Sequence, residues 1–237
     1  MVRGRTLTLS LKKTVTNMAN KKIVMLISAV AIVASLGFGV RLGAQYFSPP
    51  PPLAIAQLLP TPKLLPEFKL VNHRGHTIGI QVFRDHWSLV FFGFTSCPDF
   101  CPLELQKLAK VLRLNNNQYP LQVLFVSVDP ERDTPDKLAE YVGFFNPDIV
   151  GVRGSNSELA KFAQFFGAAY DRSVIIEGKL LTVPAGINMP TNAGDQYQVN
   201  HSMRIFVVNP AGEYVGTFTP PYEAEKLLAD MQELMER

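Results

Sequence analysis

The chain has 237 residues with 47% apolar and 18% charged side chains, enough apolar material for a packed core and too much for a disordered chain. Two cysteines are too few for a disulfide-stapled miniprotein or a four-cysteine zinc site. Six of the 23 Lys and Arg lie in residues 1–22 with no acid, so the rest carries 17 basic against 20 acidic side chains, which excludes a nucleic-acid-binding body.

The basic stretch 1–22 reads as a cytoplasmic tail. Residues 23–40 follow without a charge or a proline. As a helix they would be about 27 Å long, enough to cross a bilayer core. The positive charges before the segment outnumber the single Arg41 after it, which predicts a single-pass anchor with its N-terminus in the cytoplasm. The rival expectation is a signal peptide cleaved after the A-x-A pattern Ala54-Ile55-Ala56, but that pattern lies 14 residues past Val40, beyond four prolines. Either way the body is expected in an exported compartment, a bacterial periplasm bounded by the inner membrane. Pro49 to Pro52 would form a stiff spacer, and 41–65 reads as a tether.

From residue 66 to 237 the pattern alternates strands and helices. Residues 68–71 predict a strand, 72–75 a turn, and 77–82 a closing strand. The continuous apolar runs 89–92 and 121–128 predict central buried strands. Between them Cys101, Leu105, Leu108 and Leu112 share a helix face. Thr134-Pro135 starts a second helix with Leu138, Tyr141, Val142 and Phe145 inward. Ser155 to Glu158 matches a capping box before Leu159, Phe162, Ala163 and Phe166. Residues 173–200, rich in Gly, Pro, Asn and Thr, read as an inserted loop with room for a hairpin. Runs at 205–208 and 214–218 flank Asn209-Pro210-Ala211-Gly212 as a hairpin, and Pro221 opens a last helix with Leu227, Leu228, Met231 and Leu234 inward. This order is that of a thioredoxin-like α/β sandwich, a central mixed sheet with flanking helices.

Both cysteines lie where the first buried strand ends, in Gly93-Phe94-Thr95-Ser96-Cys97-Pro98-Asp99-Phe100-Cys101-Pro102. Ligands favour that end of an α/β sheet, and a helix N-terminus favours the thiolate. Spacing alone leaves three readings open: a structural disulfide, a redox dithiol and a two-thiolate metal site. Of the four histidines, His73 and His76 read as exposed turn residues and His86 as structural. His201 precedes the strand at 205–208, where an ordinary thioredoxin places a cis-proline facing its cysteines, so it is expected to face Cys97 and Cys101. Two thiolates and an imidazole suit Cu(I), and hold Cu(II) with a further ligand. Asp129 ends the second buried strand on the same edge. Met203 is assigned to core packing.

The cysteine motif resembles the signature of the Sco/SenC family of copper metallochaperones. So do Val128-Asp129-Pro130-Glu131-Arg132-Asp133-Thr134-Pro135 and Val199-Asn200-His201-Ser202. The resemblance covers roughly residues 64–236. It implies a thioredoxin-like domain on one membrane anchor that binds copper through Cys97, Cys101 and His201 and helps build the binuclear CuA site of cytochrome c oxidase. The implied partners are the copper-containing oxidase subunit or other copper chaperones. It also makes Asp129 a residue that supports the ligands. Many relatives have Asp where this chain has Asn200, which removes a negative charge beside the histidine. The runner-up function is a thiol-disulfide oxidoreductase acting on target cysteines, which need not have His201.

Overall fold

The computed structural model describes Met25, residues 28–41, Gly43 and residues 52–236. The chain divides into two units, 1–51 and 52–237. In the first, residues 28–41 are helical (α1), and Val30, Ile32, Val33, Leu36, Phe38 and Val40 are exposed. Among the described residues no helix is long and apolar enough to cross a membrane. The expected span 23–40 includes 23, 24, 26 and 27, which lie outside the described residues, and a helix over 28–41 alone is about 21 Å long. The expected tail 1–22 also lies outside them.

The second unit begins earlier than the expected boundary at residue 66. Gln57–Leu64, placed in the tether by its prolines, forms strand β1. It is an edge strand, where Pro60 and Pro62 cost no ladder partner, and its register against the sheet slips between Leu58 and Lys63. Then come β2 Leu70–Asn72, β3 Thr77–Ile78 and a 3-10 turn at Ile80–Phe83. The predicted 77–82 strand is thus cut to two residues. The core follows as β4 Trp87–Gly93, α2 Phe100–Asn115, β5 Leu121–Ser127, α3 Pro135–Phe145, β6 Ile149–Arg153 and α4 Asn156–Phe166. β6 was not foreseen, although its Ile-Val-Gly-Val run carried the signal.

An eight-stranded mixed sheet has the order β1-β11-β10-β4-β5-β6-β2-β3, where β10 is Ile205–Val208 and β11 Glu213–Phe218. β4, β5 and β6 run parallel, and β10 is antiparallel to β4. Every residue from Ser88 to Gly93 is buried, as a strand covered on both faces requires. The caps behave as their sequences predict: Thr134 Oγ1 accepts from the Lys137 N–H, Ser155 Oγ accepts from the Glu158 N–H, and Gly167 ends α4 at φ 69°. The last helix, α5 Ala224–Glu236, starts three residues after Pro221; its first i to i−4 bond runs from the Leu227 N–H to the Glu223 carbonyl.

The insertion is more ordered than its composition predicts. β7 Tyr170–Ile176 and β8 Lys179–Pro184 form a hairpin around Glu177 and Gly178, both at positive φ, a two-residue turn that matches strand twist. β9 Gln198–His201 returns along β7, completing a separate sheet β8-β7-β9. This second sheet delivers the histidine.

Candidate metal centre

β4 and β5 end in register, with Gly93 opposite Ser127, so the cysteine loop and the loop at 128–134 emerge side by side. Gly93 is required by packing: a Cβ there would lie 2.8 Å from Cys101 Sγ and 2.6 Å from Phe125 Cε2. The chain then turns, with the Cys97 N–H on the Phe94 carbonyl. Asp133 fixes this turn from the neighbouring loop. Its carboxylate, wholly buried, accepts from the Thr95 N–H at 2.9 Å, the Thr95 hydroxyl at 2.6 Å and the Ser127 hydroxyl at 2.6 Å.

Cys97 is half-buried and Cys101 buried, and both are free thiols. The N-cap residue of α2, Asp99, makes no side-chain cap bond. Instead the sulfur of Cys97 accepts the Cys101 N–H at 3.4 Å, so a thiolate sits at the positive end of the helix. The hydrogen bond from the Cys101 thiol is the main reason that Cys97 falls to a pKa of about 4; burial opposes it, and the Cys101 and Asp99 N–H groups and His201 add to it. The same bond, with burial and the nearby charges of Cys97 and Asp133, pushes the Cys101 thiol far up. The pair is therefore one half-buried thiolate backed by one buried thiol.

His201 ends β9, opposite Tyr170 of β7. Its Nδ1 lies 3.0 Å from the Ser202 carbonyl, an acceptor that places the proton on Nδ1 and leaves the Nε2 lone pair free. Nε2 lies 3.4 Å from Cys101 Sγ. The rings of Phe94 and Phe91 stand edge-on to the imidazole at 5.8 and 6.1 Å. The two sulfurs and one ring nitrogen all lie within 4.8 Å of one another. Metal–sulfur bonds of about 2.3 Å need donors roughly 3.5–4 Å apart, so a small contraction closes the set on one ion. Two soft thiolates with an imidazole suit copper or zinc.

Asp129 is not with these three. It is buried, and its carboxylate accepts from the Tyr197 hydroxyl and from Arg132 Nε at 2.5 Å. Burial pushes its carboxyl up, and those two donors hold it down. The acid that holds the cysteine loop is Asp133, four residues on in the same motif. A buried position with three donors is a tertiary fact, and no spacing distinguished Asp133 from Asp129. Arg132 and Tyr197 were also missed.

Met203 does not pack in the core; it is 37% exposed between β9 and β10. His73 is half-buried rather than an exposed turn residue: its Nδ1 accepts the Gly151 N–H at 2.9 Å, and burial lowers its pKa. His76 and His86 are exposed and outside the cluster. Asn200 donates to Asp171 across the β7–β9 pair at 2.8 Å, where an Asp would repel that carboxylate.

Residues 56–236 match the SCO1/SenC family model. The mitochondrial SCO2 homolog of Bos taurus is 35% identical over 164 residues, 68% of this chain and 56% of the relative, so the chain spans little more than half that relative's length. The crystal structure of yeast Sco1 with copper bound aligns with 27% identity and a TM-score of 0.62, covering 74% of this chain and 90% of that one. Apo Sco1 from Thermus thermophilus aligns with 33% identity and a TM-score of 0.60, covering 76% and 95%. The fold is the thioredoxin-like one of these proteins.

Proposed function

The chain belongs to the SCO1/SenC family, and on that premise we propose that it carries one copper ion on Cys97, Cys101 and His201 and passes it to the copper-containing subunit of cytochrome c oxidase. One observation carries the reading: two sulfurs from the loop and helix that follow β4 and a ring nitrogen from the end of β9, in the second sheet, converge within 4.8 Å. Loading requires the dithiol, because a disulfide offers no thiolate, so redox state gates copper binding. Other copper chaperones are the candidate donors.

In this reading 23–40 anchors the protein in a bacterial inner membrane, with 1–22 cytoplasmic and the domain periplasmic. The uncharged apolar run and its basic flank support that orientation. A reporter fused after Arg237 that works only in the periplasm should be active; activity restricted to a cytoplasmic reporter refutes the topology.

The function is tested by counting copper on the purified full chain. The reduced protein should hold about one ion per chain, and protein with both thiols alkylated almost none. Equal retention in the two refutes a thiolate site.

A second reading is favoured by the asymmetry of the cysteines. A half-buried thiolate at Cys97 with a fully buried thiol behind it suits a thiol-disulfide oxidoreductase. Cys97 would attack a target disulfide, breaking its S–S bond: one target sulfur leaves as a thiolate and the other forms a mixed disulfide with Cys97. Cys101, giving its proton to the departing thiolate, would then attack the Cys97 sulfur, break the mixed disulfide and expel the second target sulfur, which leaves Cys97–Cys101 oxidised and passes two electrons to the target.

A further inference from the structure

Arg132 touches both halves of the centre. Its side chain, 13% exposed, is held by Asp129 through Nε. Nη1 donates to the carbonyls of Asp195 and Tyr197, both at 3.1 Å. Its guanidinium lies 3.9 Å from the centroid of the Tyr197 ring and 5.7 Å from that of Phe94. Tyr197 is the residue before β9, the strand that ends in His201. Phe94 opens the cysteine turn and stands edge-on to the His201 ring.

The same loop reaches the cysteine side through Asp133, which holds Thr95 two residues before Cys97. It reaches the insertion again through Glu131, which pairs with the wholly buried Arg172 of β7 and accepts the Met189 N–H. Asp129, Glu131, Arg132 and Asp133 therefore tie the insertion to the cysteine loop. A planar guanidinium with several donors can hold two carbonyls and a carboxylate at once; a lysine ammonium on a flexible stem holds them less rigidly.

Resting on the copper reading, we infer that Arg132 is a positioning residue for the metal centre: it pins the start of β9 to the loop that fixes the cysteine turn, and so sets the approach of His201 to the two sulfurs. The approach is sensitive because His201 lies at the end of a four-residue strand that pairs only with β7, with Arg132 on the Tyr197 carbonyl just before it and the Ser202 N–H on the Ala169 carbonyl just after it. Releasing the first anchor lets the ring leave Phe94 and the donor set open.

The test uses Arg132→Lys, which keeps a charge against Asp129, in the full chain. The first readout needs no metal: the ring resonances of His201 in reduced, histidine-labelled protein should move toward random-coil positions as the Phe94 ring current is lost. The second is Cu(I) affinity by chelator competition, which should fall about 10-fold, with both thiols still titrating. In a His201→Ala background the same substitution should add no more than about 2-fold, since the residue it acts through is gone. Unmoved His201 resonances, or penalties that multiply in the double variant, overturn the inference. If His201→Ala alone leaves copper affinity unchanged, the ligand reading fails instead, while the resonance test still judges the positioning. Should Arg132→Lys fail to fold, Arg132→Gln, whose short amide cannot span Asp129 and both carbonyls, breaks the same pin. It should shift the same resonances in the same direction, and unshifted resonances overturn the inference.

Discussion

The Nε2 atom of His201 lies 3.4 Å from the sulfur of Cys101 although the two residues are one hundred positions apart in the chain. Cys101 is held at the base of α2, against the end of β4, and His201 arrives from the other sheet. The contact joins the two parts of the chain on which the proposed chemistry depends, and it separates the two functional readings.

His201→Ala should lose copper and oxidase assembly while keeping thiol reactivity. The Cys97 thiolate is set first by the Cys101 thiol, and the imidazole contributes less. Removing a ligand should lower copper affinity by about 10-fold or more. The check is oxidase activity at low copper in a strain with the variant as its only copy, alongside reduction of a model disulfide by the purified protein. Normal oxidase activity would favour the oxidoreductase.

Cys97 should react as a thiolate across the neutral and mildly acidic range. Its pKa falls from 9.0 to about 4, so lowering the pH from 8 to 5 does not protonate it. Site-resolved iodoacetamide labelling should be nearly flat over that interval and decline only as pH falls through about 4. Cys101→Ala removes the largest cause and should move the decline to higher pH. A wild-type rate that climbs about tenfold per unit up to pH 8 would contradict the assignment.

Gly93→Ala should damage the site through packing. The new methyl would press on the Cys101 sulfur and on the Phe125 ring, both wholly buried. Overpacking of this kind costs about 1–3 kcal/mol. A drop in Tm together with weaker copper binding is expected, and an unchanged Tm would show that the ring and sulfur yield freely.

Asp230 on α5 should prove a main tie for the start of the domain. Its carboxylate, 4% exposed, accepts the N–H groups of Ala54, Ile55 and Ala56 at 2.8, 2.7 and 2.7 Å. Asp230→Ala strands three donors and should cost about 2–3 kcal/mol in urea unfolding; Asp230→Asn, which keeps one acceptor oxygen, should cost less. Equal stability of Asp230→Ala and wild type would mean that 54–56 finds water at no cost.

Much of this protein was determined locally and could be read from residues near one another in the chain. Runs such as 89–92 are buried strands because both faces are covered, Thr134 and Ser155 cap helices because a hydroxyl can reach an amide three residues on, and Cys97 and Cys101 meet because the turn just before α2 lays the Cys97 sulfur on the Cys101 N–H of its first turn. His201 was legible through its place before an apolar strand and through the family-like motif Val199-Asn200-His201-Ser202. Tertiary structure alone decided the rest. Gln57–Leu64 is a strand because β11 offers it an edge, despite two prolines. The insertion is a sheet because β9 returns to β7. Asp133 rather than Asp129 grips the cysteine loop, and Arg132 grips Tyr197, because two loops leave adjacent parallel strands at the same height. Propensity and periodicity act over a few residues; which buried carboxylate meets which donor depends on chain segments brought together by the sheet, and no local pattern encodes that meeting.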